Sequence, residues 1–448
     1  MTENADRQRV CIVGAGIMGL VLAERLADRG YQVTVLERND EIGGLSTWHD
    51  YGRFTWDRFY HVILPTDSNL TGYLETIGLA DRLCWEKTLT GFFVDGVFHS
   101  VSTSREFLFF PVLSLFDKFR LGVMILYCSR IKDWKRLEKI TVGDWLIKVC
   151  GRRVYEKFWK PLLLAKLGRY HERVSAVFIW TYVKRMFSAR GSAESTEKLG
   201  HVSGGYKTVI DVISNRIRSN GGEIRTDVTV AKLSPQTAGG VEVVIEDTSE
   251  IFDKVVYTGP MTVLDSIADP GLIVTDGIRQ PIEYLGAICM VMISSANIVP
   301  YYVVNIADDR IDFTGIIGMS NLVDVEQTDN LYMTYFVKYV AADDKMLQAS
   351  DGEIQKRFSD GIDIMFPDFD WYQVESLHVN RAPVVQPLQV IDFSKMVPKT
   401  TTVHPDFHVL NTAQLVGGTL NNNEVVGSVL DFVDTFTGQP TQKLKAHI

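Results

Sequence analysis

A chain of 448 residues exceeds what one ordinary hydrophobic core supports, so two domains are expected. Apolar residues make up 46% and charged residues 23%, as in a soluble globular protein, and a net charge of −9 leaves no dense basic face for a nucleic-acid partner. The five cysteines, Cys11, Cys84, Cys128, Cys150 and Cys289, form no CxxC pair, and Met1 to Arg7 lacks the apolar run of a signal peptide, so a reducing, cytoplasmic setting is expected.

The chain opens on an apolar strand, Val10-Cys11-Ile12-Val13, that runs into Gly14-Ala15-Gly16-Ile17-Met18-Gly19 and a helical pattern carrying Ala23 and Leu26 on one face. Gly14 permits the sharp turn, Gly16 lets the backbone approach a pyrophosphate, and Gly19 lets the helix pack closely on the strand. A second strand, Val33-Thr34-Val35-Leu36, ends on Glu37, twenty-three residues after Gly14, where a carboxylate can accept from both ribose hydroxyls; Arg38 follows. The phosphates would sit over the positive end of the helix dipole. Strand, turn, helix and acidic strand end together describe a βαβ unit that binds an ADP-containing dinucleotide, and the cofactor expected is FAD.

Residues 50–61 are aromatic and turn-rich, and 69–77 read as a short helix. From 82 to about 192 strand-like pieces, such as 91–99, alternate with aromatic helical segments, as in a separate helical insertion. Its most apolar part, 107–127, is broken by Pro111, Asp117, Lys118 and Arg120, short of the roughly eighteen uninterrupted residues that a spanning helix needs. That stretch could pack a core, dock on a membrane surface, or line a tunnel for a greasy substrate. Trp159, Lys160, Pro161, Lys166, Tyr170 and His171 could grip an acidic headgroup or simply form a capped helix and loop.

Ser203-Gly204-Gly205-Tyr206 opens an amphipathic helix over 207–219, closed by Asn220-Gly221-Gly222. Strands are expected over 223–233, 240–246 and 254–258, then over 288–293, 313–318 and 331–336, with a helix near 353–365. A last strand, 407–411, precedes a Gly and Asn turn and a helix over 424–436. His404-Pro405-Asp406-Phe407-His408 has donor spacing, but Pro405 and the strand onset splay the side chains, so no metal is expected.

The run from Val10 to Thr47, with GAGIMG, Ala23, Leu26, Gly30, Glu37 and the pair Gly43-Gly44, resembles the flavin-containing amine oxidase superfamily, which includes protoporphyrinogen oxidases, phytoene desaturases and UDP-galactopyranose mutases. The resemblance implies an α/β fold: a Rossmann-like FAD-binding domain of the GR2 type, with a discontinuous mixed α+β substrate domain and a helical insertion. The FAD-binding domain would take residues 1–80, 200–262 and 388–448, and the substrate-binding domain 81–199 and 263–387. The resemblance also implies that Val230 holds the adenine through its backbone, that Thr258 lies beside the pyrophosphate, and that the helix N-terminus around Asn423 and Glu424 faces the flavin pyrimidine. Where many relatives have arginine after the glycine pair, this chain has Leu45, leaving Ser46 and Thr47 as donors.

His61, with Tyr60 before it, follows the glycine pair closely enough to lie beside the flavin ring. By resemblance to the mutases His61 could tune flavin protonation; alternatively both side chains pack the ring edge. Arg381 is a candidate for gripping substrate or for capping a strand. These features imply an FAD-dependent oxidoreductase acting by hydride transfer on a small molecule, with an apolar or isoprenoid-like substrate and peripheral membrane contact in view. The alternative is a non-redox sugar isomerase that uses reduced flavin as a nucleophile.

Overall fold

The computed structural model of the protein describes residues 7–189, 197–273 and 281–439. Strand β1 (Arg9–Val13) is buried from Val10 onward because it is the middle strand of a five-stranded parallel sheet covered on both faces. Across that sheet the order is Phe407–Val409, Lys254–Tyr257, β1, β2 (Gln32–Leu36) and Glu223–Arg225, with every neighbouring pair parallel. Side chains alternate along β1, so Val10 and Ile12 face one layer and Cys11 and Val13 the other. The first layer is helical: α1 (Ile17–Asp28), Gly205–Ser219, Asn422–Thr437 and Ser68–Thr76 close over Leu20, Ile213, Val429 and Leu70. On the second side an antiparallel sheet of Val230–Pro235, Val241–Ile245 and Thr248–Phe252 packs Leu233, Val243 and Phe252 against Cys11 and Leu36.

A seven-stranded sheet forms the other half, in the order Val374–Pro387, Tyr284–Ser294, Tyr332–Ala341, Gly315–Gly318, Val303–Ala307, Thr90–Val94 and Val97–Ser100. Its Ile288, Met290 and Phe336 pack under the helix Asp351–Met365, against Ile354 and Phe358. The opposite face, with Cys289, Val291, Tyr335 and Val337, lies against Trp56 and Leu64, just past the second glycine pair. Leu83–Thr88 and Glu197–Val202 pair antiparallel, and a separate helical layer, Leu115–Arg130, Val142–Cys150, Lys160–Leu167 and Ala176–Ala189, is built around Trp145, Trp159 and Trp180. Among the described residues no helix is long and apolar enough to cross a membrane.

Two expectations are corrected. The stretch 223–233 is two strands in two different sheets: Asp227 takes a left-handed φ of 55°, and the Val228 N–H bonds the Glu37 carbonyl at 2.8 Å, which turns the chain out of the parallel sheet. The stretch 91–99 is a hairpin, because Asp95 and Gly96, with φ of 53° and 79°, make a two-residue turn between the strands.

Candidate active site

The βα turn after β1 is built by three glycines with three different constraints. Gly14 has a φ of 111°, open to glycine and strained for other residues. A Cβ on Gly19 would stand 1.9 Å from the Gly14 carbonyl oxygen, so α1 touches the turn backbone to backbone. Gly16, at φ −67°, has nothing within 4 Å of where a Cβ would point, and as N-cap of α1 it offers no side-chain hydrogen bond. The first N–H groups of α1 therefore face open space, which is the arrangement an anionic phosphate completes. Gly43 and Gly44, with φ of 109° and 61°, run alongside: Gly43 N–H donates to the Ala15 carbonyl at 2.7 Å, and a Cβ on Gly44 would lie 3.1 Å from Gly16 Cα.

Glu37 is buried at the end of β2. Its Oε2 accepts from Ala15 N–H at 2.9 Å, and its Oε1 accepts from Asn39 N–H at 3.0 Å and Asn39 Nδ2 at 2.8 Å. Each carboxylate oxygen has two acceptor positions, so capacity remains for a ribose hydroxyl. Arg38 is exposed, near enough to Tyr257 for its charge to act on that phenol. Val230 opens its strand two residues after Val228, which bonds Glu37, and so lies at this same end. The Thr258 hydroxyl donates to the Val13 and Gly14 carbonyls at 3.0 and 3.1 Å; it locks the glycine turn.

Leu45 is half-buried and Ser46 and Thr47 are buried after the second glycine pair. Thr47 Oγ1 donates to Glu41 at 3.2 Å, and Arg58 donates to the same carboxylate at 2.8 Å, so a guanidinium does reach this loop from a different position. Ser46 Oγ accepts from Asn422 Nδ2 at 3.2 Å and lies 3.2 Å from His61 Nε2. His61 Nδ1 lies 3.5 Å from Asp57 Oδ2, close enough for charge attraction when the ring is protonated, but it makes no hydrogen bond there. The other Asp57 oxygen accepts from Tyr206 N–H at 2.8 Å, and the Tyr335 hydroxyl donates to the Asp57 carbonyl at 2.7 Å. One network thus joins the glycine-pair loop, the helix Gly205–Ser219, the closing helix Asn422–Thr437 and the seven-stranded sheet. Beside it Tyr60 Oη lies 3.1 Å from Tyr339 Oη, and burial pushes the Tyr60 phenol well above its usual range, so it carries its proton.

The other sequence candidates have different surroundings. Asn423 Oδ1 accepts from Asn69 and Leu70 N–H at 2.9 and 3.1 Å, capping the helix Ser68–Thr76, so that side chain is held away from the Ser46–His61 network. Glu424 turns toward a groove of about 640 Å³ at the sheet edge, shared with Lys254, His408 and Phe432. Arg381 is not brought to the cluster either: it donates to the Ala349 carbonyl at 2.7 Å and pairs with Asp351 at 2.7 Å, at the start of the helix on the far face of the sheet. Its neighbour Asn380 points the other way, donating to the Arg58 carbonyl at 3.2 Å. Around 404–408, Asp406 pairs with Lys254 at 2.7 Å, and His408 meets Phe432 and Phe436 edge to face. Sequence reasoning missed Asp57 and Tyr206 beside His61, and Asn422 on Ser46; the four-residue spacing of Asp57 and His61 was the one local signal.

The sequence pattern of the family described as flavin containing amine oxidoreductase matches residues 17–383. The chain belongs to that family. Its cofactor is FAD, and the open α1 N-terminus, the Gly16 cradle and the buried Glu37 carboxylate fit that group. A protein of Exiguobacterium sp. 255-15, provisionally assigned as a protoporphyrinogen oxidase, has the same fold, with TM-score 0.75 and 16% identity over 96% of this chain and 98% of that one. A reduced UDP-galactopyranose mutase superposes with TM-score 0.71 and 14% identity over 97% of this chain and 95% of that one. The flavin-dependent L-tryptophan oxidase RebO of Lentzea aerocolonigenes is 32% identical over 150 residues, 33% of this chain and 30% of that protein. The chain thus spans less than a third of the length of the curated relatives it matches first.

Proposed function

We propose that this protein moves a hydride between a carbon of a small organic substrate and FAD. FAD, when bound, supplies the two-electron chemistry; the chain supplies position and proton control. The observation that carries the reading is the hydrogen-bonded chain Asn422–Ser46–His61, with Asp57 3.5 Å from the far ring nitrogen, next to the dinucleotide loops and the Tyr60–Tyr339 pair. Gly16, Gly44 and the α1 N-terminus hold the pyrophosphate, and Glu37 the ribose. Asp57 orients His61, whose Nε2 exchanges a hydrogen bond with Ser46; Tyr60 and Tyr339 exclude water and position substrate.

Anaerobic addition of NADH or NADPH to the yellow protein, followed at the visible flavin band, tests how the flavin is used. An unchanged band means that the organic substrate delivers the electrons, as in a dehydrogenase or oxidase. Prompt bleaching means an external reductant, and favours the second reading, a mutase-like isomerase; the position of His61 beside the glycine-pair loop supports that reading. His61→Ala should retain FAD and lower turnover by about tenfold or more, the usual share of a positioned acid–base group. An unaltered rate would remove His61 from the mechanism.

The same reading includes docking on an anionic phospholipid surface. The helix Leu115–Arg130 buries Leu121, Met124 and Cys128 and turns Phe116, Phe119, Val123, Leu126 and Tyr127 outward. Phe109, Phe116 and Phe119 are 74%, 66% and 68% exposed, in one apolar patch of a kind that water-facing surfaces avoid. Residues 104–160 carry thirteen Lys and Arg against six Asp and Glu in a chain whose net charge is −9. An outward apolar helix face in a basic region complements anionic headgroups over acyl chains. It would give an apolar substrate a route from the bilayer.

A further inference from the structure

We infer that Lys166 forms a subsite for an anionic group of the substrate, a carboxylate or a phosphate. The inference rests on the proposed function in one respect: it takes the tyrosine-lined face beside His61 as the substrate side.

Lys166 is half-buried near the end of the helix Lys160–Leu167, which packs on the strands Val303–Ala307 and Tyr332–Ala341. Its Nζ lies 4.1 Å from the centroid of the Tyr339 ring and 5.0 Å from that of Tyr182. Arg169, Arg173, Arg185 and Arg381 each have a carboxylate partner: Asp343, Glu283, Asp67 and Asp351. Lys166 differs; among the described residues its neighbours are phenols. Withdrawal from water disfavours the ammonium, yet the two tyrosines outweigh it and hold the pKa above the ordinary lysine value, so the charge stays. Its partners are the two tyrosines, and among the described residues no carboxylate pairs with it as one does with each of those arginines.

The surroundings supply what an anion needs. An ammonium has three donors and no acceptor. Tyr60 and Tyr339 share a single hydrogen bond at 3.1 Å, so one of the two phenol hydrogens remains free to donate. Burial and adjacent phenols keep Tyr60 protonated. The cage therefore presents positive charge beside the phenol of Tyr60, which precedes His61 in the chain, and an acid or phosphate bound there occupies the tyrosine-lined face taken as the substrate side. A cationic amine would be repelled. A purely hydrocarbon substrate would leave the ammonium without a counterion.

The test uses FAD-loaded protein with inorganic phosphate and acetate as separate probes, read by ³¹P line broadening and by saturation transfer to the acetate protons. Wild-type protein should show saturable binding of at least one probe, and the preferred probe assigns the group. Lys166→Met should weaken it about tenfold or more, and Lys166→Arg should hold it within about threefold, as expected for a charge-assisted hydrogen bond. Tyr339→Phe keeps the ring under the ammonium and removes a phenol, and should weaken binding about threefold; it serves if Lys166→Met fails to retain FAD. No saturable binding of either probe, or equal binding in wild type and in Lys166→Met, overturns the inference. Photoreduction of the bound FAD is followed in the same samples: a reducible flavin without anion binding removes only the subsite, whereas anion binding beside an irreducible flavin removes the redox function and leaves the subsite.

Discussion

Gly16 and Gly19 lie three residues apart, and the same substitution should act on them in opposite ways. In Gly19→Ala the new methyl would meet the Gly14 carbonyl oxygen at 1.9 Å and Thr258 Oγ1 at 3.1 Å. Neither neighbour can yield alone, because Thr258 is bonded to the Val13 and Gly14 carbonyls and Gly14 N–H to the Leu36 carbonyl. The helix must lift from the turn, an overpacking cost of about 1–3 kcal/mol, felt with or without cofactor. In Gly16→Ala the backbone, φ −67° and ψ 172°, already suits alanine, and no protein atom lies within 4 Å of the methyl. The stability of FAD-free protein should change by no more than about 0.5 kcal/mol. With FAD the methyl occupies the approach to the pyrophosphate, and affinity should fall about tenfold or more, roughly 1.4 kcal/mol. Denaturant unfolding of stripped protein and a fluorescence titration with FAD give the two numbers for each variant. Wild-type FAD affinity in Gly16→Ala, or equal destabilisation of the stripped protein by both variants, would refute the assignment of the phosphate cradle.

Glu37→Gln should weaken FAD binding by about 1.5–3 kcal/mol, the usual worth of a hydrogen bond to a charged group, as read in the same titration. His201, buried beside Trp56, has its pKa pushed down to about 4 from an ordinary 6.5, because burial disfavours the imidazolium. The unfolded chain takes up that proton first as pH falls, so stability is complete above pH 6.5 and lost progressively toward pH 4, by of order 3 kcal/mol. Denaturant midpoints between pH 7 and 4 should flatten in His201→Gln; an unchanged slope would exclude His201 as the source. Phe116→Ser with Phe119→Ser should cut flotation with anionic vesicles by about tenfold or more, since each phenylalanine is worth about 1.5–3 kcal/mol when buried, and leave neutral vesicles unbound. Equal flotation of variant and wild type would move the docking face elsewhere.

Much of the parallel sheet was legible because local rules act within short windows there. Val10 to Val13, the three glycines and Glu37 lie within thirty residues, and turn, helix start and strand end each leave their own residue type. Helices read over 69–77, 207–219, 353–365 and 424–436 appear as Ser68–Thr76, Gly205–Ser219, Asp351–Met365 and Asn422–Thr437, shifted by the caps that precede them. The strand 223–233 could not be divided from its composition: its break is Asp227 at positive φ, held where Asp227 N–H bonds the Asn39 carbonyl and Val228 N–H the Glu37 carbonyl, far upstream. The pairing of Leu83–Thr88 with Glu197–Val202 joins segments more than one hundred residues apart and has no local signature.

The candidate site divides along the same line. His61 was visible because it follows the glycine pair, but Tyr206, which packs on its ring, and Asn422, which bonds its partner Ser46, come from other helices, so no spacing rule could connect them. Arg381 and Lys166 show the point most directly. Both are cations in segments read as possible substrate contacts. A strand sends alternate side chains to opposite faces, so once Asn380 bonds Arg58 on the side of the glycine-pair loop, Arg381 must emerge on the far side, where Asp351 neutralises it. Lys166 sits on a helix whose inner face meets Tyr339 and Tyr182, and no carboxylate follows it there. Which lysine or arginine is available to a ligand is set by which face it shares and whether an acid shares it, and both are decided by long-range packing rather than by residue type.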